Sequence, residues 1–201
     1  MTREDTRAKL IAEGAKLIHE KGFNNTGIQE ILRAAGVPKG SFYFYFQTKE
    51  EFGLAVVDYF ADFMSGTMER HLNDSSLPPV GRLRRFFGEM KDYFGQEGCS
   101  RGCPIGNLAQ ELADLSDTFR KKLTEVLGKM QSGIAVCLLE ARESGEIPLD
   151  LDPRETAYFI LNSWEGALTR MKTEKTLDAL IVFDLIVFGR LLCARTDKTG
   201  M

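Results

Sequence analysis

The chain has 201 residues, 43% hydrophobic and 27% charged, which suits one or two compact domains with a core of their own. It contains no run of about eighteen apolar residues to span a membrane, and residues 1–21 are charged throughout where an export signal needs an apolar stretch. A net charge of −3 disfavours a polyanionic partner only on average: residues 1–50 hold eight Lys/Arg against six Asp/Glu, and residues 51–201 hold eighteen against twenty-three, so a mildly basic front precedes an acidic remainder.

Few prolines and recurrent Ala, Leu, Glu, Lys and Arg at helical spacing predict an all-α chain of about nine helices. Ala8, Ile11, Ala15 and Ile18 form one stripe, predicting a first helix over 3–21 that Gly22 stops. Asn24, Asn25 and Thr26 make a polar turn, with Thr26 expected as the N-cap of a short helix over 27–35. Gly36 breaks that helix, and Pro38 opens a third short one. Two short helices joined through a glycine turn, behind a longer helix, make the helix-turn-helix arrangement.

The third helix contains Phe42-Tyr43-Phe44-Tyr45-Phe46. On a helix Phe42 and Phe46 share a face and point to the core, while Lys39 and Tyr43 share another. A strand would instead group residues 42, 44 and 46. Pro38, Gly40 and the charged helical sequence that follows favour the helix. The exposed rod is expected over residues 38–45.

A fourth helix is predicted over 48–72, opened by a Thr48/Glu51 capping box. Asn73 to Pro79 reads as a linker, and 80–97 as a fifth helix carrying Phe86, Phe87, Tyr93 and Phe94. A glycine-rich hinge over 95–106 precedes a short helix at 107–115 and a long one at 117–144, stopped by Gly145. Asp152-Pro153-Arg154-Glu155 starts an eighth helix running to about residue 172. The ninth, about 177–194, is apolar nearly all round, more than one solvated side needs; it is either fully internal or an interface. The tail, Arg195 to Met201, is expected to fray.

The stretch "GFNNTGIQEILRAAGVPKGSFYFYFQTKEEF" resembles the DNA-binding signature of the TetR family of bacterial regulators. The match covers about residues 5–62 densely, and the remainder in architecture alone. "GCPIGNLAQELADLSD" at 102–117 is similar to a branch responding to electrophiles, acrylate-like molecules or oxidants. The resemblance implies a DNA-binding domain over 1–48, a linking helix at 48–72, and a helical effector-binding and dimerisation domain over 49–201. It implies a cytoplasmic repressor, without cofactor or enzymatic activity, that binds a palindromic operator as a homodimer through its last two helices and is released by a small molecule or electrophile.

Residue by residue, Lys39 is expected to read a guanine edge, with Gly40 letting the backbone approach. Ser41, Tyr43 and Tyr45 offer hydroxyls to phosphates, Thr26 with the start of the second helix offers backbone N–H groups to another, and Lys49 offers its ammonium. Gln29 lies within reach of a base or phosphate. Phe44 stands where the family often has histidine, which limits it to a thymine methyl or a sugar.

On the effector side, Tyr93, Phe94, Asn107 and Trp164 are the pocket candidates. With no export signal, Cys99, Cys103, Cys137 and Cys193 are expected as reduced thiols. Cys103 lies before a helix and two residues from Arg101, surroundings that favour a thiolate, and Cys99 is placed to resolve an oxidised Cys103. Cys137 and Cys193 fall on apolar faces and are expected in the core. The alternatives are an interaction module that has lost DNA binding, and an enzyme; His19 and His71 offer little acid–base chemistry for the latter.

Overall fold

Helix α1 spans Arg3–Lys21 and α2 spans Ile28–Ala35 in the computed structural model, which describes residues 3–193. Gly22, at φ +89°, takes the left-handed turn out of α1, and its N–H donates to the Ile18 carbonyl at 2.8 Å. Helix α2 begins one residue later than the sequence suggests, with Gly27 at its N-cap. Gly36, at φ +62°, closes it with N–H bonds to the carbonyls of Arg33 and Leu32. Helix α3 is a single turn, Phe42–Tyr45. Pro38 to Ser41 form a separate turn closed by Ser41 N–H on the Pro38 carbonyl at 2.9 Å, so the expected rod over 38–45 is a turn followed by one helical turn.

Helix α4 covers Lys49–Leu72 and opens on one half of the expected Thr48/Glu51 capping box: Glu51 N–H donates to Thr48 Oγ1 at 3.0 Å, while Glu51 Oε2 accepts from Gln47 N–H, one residue before the cap, at 2.7 Å. Helices α5 (Pro79–Gln96), α6 (Pro104–Leu112), α7 (Asp117–Glu143), α8 (Pro153–Glu174) and α9 (Asp178–Ile186) follow. α6 starts three residues earlier than predicted. Pro104 occupies its first position and Cys103 caps it, its Sγ accepting from Gly106 N–H at 3.4 Å; cysteine is not among the usual capping residues. After α9, a π-helical turn over Val187–Leu191 ends the described helices. The fraying expected for Arg195 to Met201 falls outside the described residues. Among the described residues there is no strand, and no helix is long and apolar enough to cross a membrane.

Packing divides the chain into two compact units: Met1–Met64 with Cys103–Leu127, and Ser65–Gly102 with Gly128–Met201. The boundary cuts α4 and α7, and it groups α6 with the helix-turn-helix.

In the first unit, α1 and α4 cross closely at Gly14, where a Cβ would stand 2.3 Å from the Phe52 ring. Phe42, Phe46 and Phe52 form a buried triad with ring centres 5.0–5.6 Å apart. In the second unit, Phe87, Trp164 and Phe183 form another, with centres 5.0–5.1 Å apart. The linker before α5 is pinned by Arg82, which donates to the carbonyls of Leu77 (2.9 Å) and Leu72 (3.2 Å) and pairs with Glu140 at 2.7 Å.

Candidate nucleic-acid interface

Lys39, Gly40, Tyr43 and Phe44 are exposed, Tyr43 by 66% and Phe44 by 57%, while Phe42 beneath them is fully buried. Leaving two large rings in water forgoes a burial worth about 1.5–3 kcal/mol each, so their outward position marks a surface that meets something other than solvent. The support is stiff. Phe42 and Phe46 anchor the single turn on Phe52, and the Arg7 guanidinium lies 5.0 Å from the centre of the Phe46 ring. Ser41 and Tyr45 are half-buried at the edge of the patch, and Gln29 is exposed on α2. The structure thus brings Lys39, Gly40, Ser41, Tyr43, Phe44 and Tyr45 onto one short segment.

Thr26 and Lys49 lie elsewhere. Thr26 has no exposed surface, and its hydroxyl donates to the Gly22 carbonyl at 2.7 Å, closing the α1–α2 turn rather than capping α2. The Lys49 ammonium donates to the Phe23 carbonyl at 2.7 Å and lies 4.5 Å from the centre of the Phe23 ring. Burial pulls its pKa below the ordinary value of 10.5, against the opposing charge of Glu111. Both side chains shape the turn from inside. Glu111, which no helical period singles out, also contacts this turn and lies outside the sequence-based candidates.

The effector candidates fall in both units. Cys103 is buried and Asn107 half-buried in the first. Tyr93, Phe94, Cys99 and Trp164 belong to the second. There Cys99 N–H donates to the Phe94 carbonyl at 2.9 Å, and the Tyr93 and Phe94 ring centres are 5.4 Å apart. Trp164 is 6% exposed and sits inside the Phe87–Phe183 cluster. Cys99 and Cys103 are both buried and neither is in a disulfide, and Cys99, at φ +53°, holds a left-handed backbone that costs a non-glycine residue about 1–3 kcal/mol. Arg101 pairs with Glu97 at 3.6 Å. Burial pushes the Cys137 thiol up to about 12, as befits a core residue, whereas Cys193, expected in the core too, is exposed just past the π-helical turn that ends at Leu191. A half-open groove of about 560 Å³ lies between α1 and α4, bordered by Arg7, Ala12, Tyr59 and Asp62, and none of the effector candidates lines it.

A glycine-bridged pair of short helices, packed on a longer one and displaying a lysine and aromatic rings, defines a helix-turn-helix DNA-binding protein. Residues 10–56 match the model of the bacterial regulatory proteins of the tetR family, and residues 79–183 match the tetracyclin repressor-like C-terminal domain. The chain is 37% identical over 192 residues to the HTH-type transcriptional repressor DhaR of Mycobacterium sp. strain GP1, covering 96% of this chain and 95% of that protein. It is 40% identical over 189 residues to the transcriptional regulator AcuR of Cereibacter sphaeroides, covering 94% and 86%. The reduced form of Escherichia coli NemR superposes with a TM-score of 0.88 at 26% identity, over 96% of this chain and 99% of that one. The chain belongs to the TetR family of transcriptional regulators.

Proposed function

We propose that this regulator is a cytoplasmic repressor that binds a palindromic operator as a homodimer and releases it when a small molecule or electrophile acts on its C-terminal half. In this reading residues 1–48 read DNA, and residues 49–201 sense and dimerise. The observation that carries it is the exposed Lys39–Tyr45 segment fixed on a buried ring triad. Lys39 and Gln29 face base edges. Ser41, Tyr43 and Tyr45 turn hydroxyls to phosphates, and Phe44 meets a thymine methyl or sugar.

One module this small binds weakly, so two are needed, with reading helices spaced by about 34–36 Å, one turn of duplex. Tyr158 and Phe159 of α8 and Ile181, Val182, Leu185 and Ile186 of α9 are exposed apolar residues; they supply a dimer face better than they serve a solvated surface. The repressor names of DhaR and NemR support the sign of regulation. The reduced state named for the NemR structure supports thiol chemistry, which we assign to Cys103 at the head of α6.

Selection of bound duplexes from a random pool at fixed salt tests the core of this reading. A palindrome with steep salt dependence is expected. A chain that dimerises but binds no duplex is an interaction module, and the reading falls. For the inducer, Cys103→Ser is expected to keep operator affinity, because serine caps a helix well, and to blunt release by N-ethylmaleimide. Equal release from the variant removes Cys103 from the mechanism.

A further inference from the structure

Two side chains from outside the helix-turn-helix hold the turn between α1 and α2. Glu111, in the last turn of α6, accepts the Phe23 backbone N–H on Oε2 at 2.8 Å and the Asn24 N–H on Oε1 at 2.7 Å. Lys49, the first residue of α4, donates to the carbonyls of the same two residues, at 2.7 and 3.5 Å. Phe23 and Asn24 therefore have their N–H groups on an acid and their carbonyls on a base. Gly22 leaves the acid its room: a Cβ there would stand 3.0 Å from Glu111 Oε2. The Phe23 ring packs edge-on against Phe119 of α7, with centres 5.2 Å apart, and over Gly53, where a Cβ would lie 2.4 Å from it. Close by, Ser116 donates to Glu50 at 2.6 Å and Lys122 pairs with Asp58 at 2.5 Å.

This turn sets the direction in which α2 leaves α1, and α2 leads through the Pro38–Ser41 turn into α3. We infer that Glu111 is a positioning residue for operator binding: its paired, charge-assisted hydrogen bonds fix the α1–α2 turn from the far end of α6. The inference rests on the operator-binding reading and not on the identity of the inducer. α6 is nine residues long, a rod of about 13 Å, with the Cys103 cap at one end and the Glu111 carboxylate near the other. Hydrogen bonds of this length are lost when their partners separate by about 1 Å more. A shift of α6 by that amount therefore either drags the turn or frees it, and both change how α2 and α3 are set.

The test uses the full-length chain and a duplex selected by the wild type. Operator affinity is measured by fluorescence anisotropy at one salt concentration, alongside amide hydrogen exchange, for wild type, Glu111→Gln, Glu111→Ala and a Ser116→Ala control. Glutamine keeps the size but offers one acceptor oxygen and turns an NH₂ toward the other N–H. Glu111→Gln is expected to weaken operator binding about tenfold, from the loss of a charge-assisted bond, and Glu111→Ala more. In both, exchange of the Phe23 and Asn24 amides accelerates at least about tenfold while that of α4 and α7 is unchanged. Ser116→Ala stays near wild type.

Unchanged affinity in Glu111→Gln overturns the inference, whether or not exchange at the turn speeds up. Should Glu111→Ala fail to fold, Glu111→Gln decides. A wild type that binds no duplex overturns the operator reading instead, a result distinct from a wild type that binds and a glutamine variant that binds equally well.

Discussion

The two aromatic clusters have nearly the same internal geometry and opposite consequences. In the first unit the Phe42–Phe46–Phe52 rings lie 5.0–5.6 Å apart, and the next residues along the chain, Tyr43 and Phe44, stand in solvent. In the second, Phe87, Trp164 and Phe183 lie 5.0–5.1 Å apart and are all buried. The first cluster is a mount for a surface; the second is core. Ring content alone does not distinguish them. What does is the sequence beside them: Phe42 is followed by two exposed rings on a single helical turn, whereas no exposed ring adjoins Phe87, Trp164 or Phe183.

The strongest way to break this comparison is to empty each cluster. Phe42→Ala is expected to cost about 3–5 kcal/mol of stability, read by denaturant unfolding, and to abolish operator binding with it. Trp164→Ala is expected to cost about the same and to leave operator affinity intact in the protein that remains folded. A Trp164→Ala protein of normal stability would put that ring in a pocket rather than in the core.

The opposite experiment strips the surface and spares the mount. Lys39→Ala combined with Tyr43→Ala should weaken operator binding about 100-fold, near 2.7 kcal/mol, with no change in the unfolding midpoint. Unchanged affinity would mean that these residues do not touch DNA.

The smallest effect concerns the cap of α8, the helix that carries Trp164. Asp152 accepts the N–H groups of Glu155 and Arg154, each at 2.9 Å, and these bonds hold its carboxyl below its ordinary value of 3.8. Because the folded pKa lies below the unfolded one, the cap stabilises at neutral pH, and the contribution fades as pH falls through the carboxylate range. Asp152→Ala should therefore lower the unfolding midpoint at pH 7, with a deficit against wild type that shrinks as pH falls below 3.8. Asp152→Asn, which still caps, should lose less.

Much of the helical frame was legible in the sequence, because caps and stops are local. Thr48/Glu51, Asp152-Pro153 and Gly22 mark helix ends through bonds to their own neighbours. The misreadings have two causes, an uncommon local start and a partner that only folding supplies. Helix α6 began early because Pro104 and Cys103 make an uncommon start. α3 was shorter than expected because Pro38 and Gly40 favour a turn of their own before it. Lys49 and Thr26 looked like phosphate ligands because, read along the chain, a cation and a backbone N–H near a helix start have no visible partner. Folding supplies one: the Phe23 carbonyl accepts from the Lys49 ammonium and from the Thr26 N–H, and the Gly22 carbonyl from the Thr26 hydroxyl.

The residues by themselves determined the family, the helical order and the inward pair Phe42 and Phe46, since each depends on spacing along one chain. Only the tertiary structure decided that α6 joins the DNA-binding helices and that Glu111 reaches Phe23 and Asn24 across more than eighty residues of sequence. A carboxylate's partner is chosen by what packing brings within hydrogen-bond range, and no periodicity in the sequence records that distance.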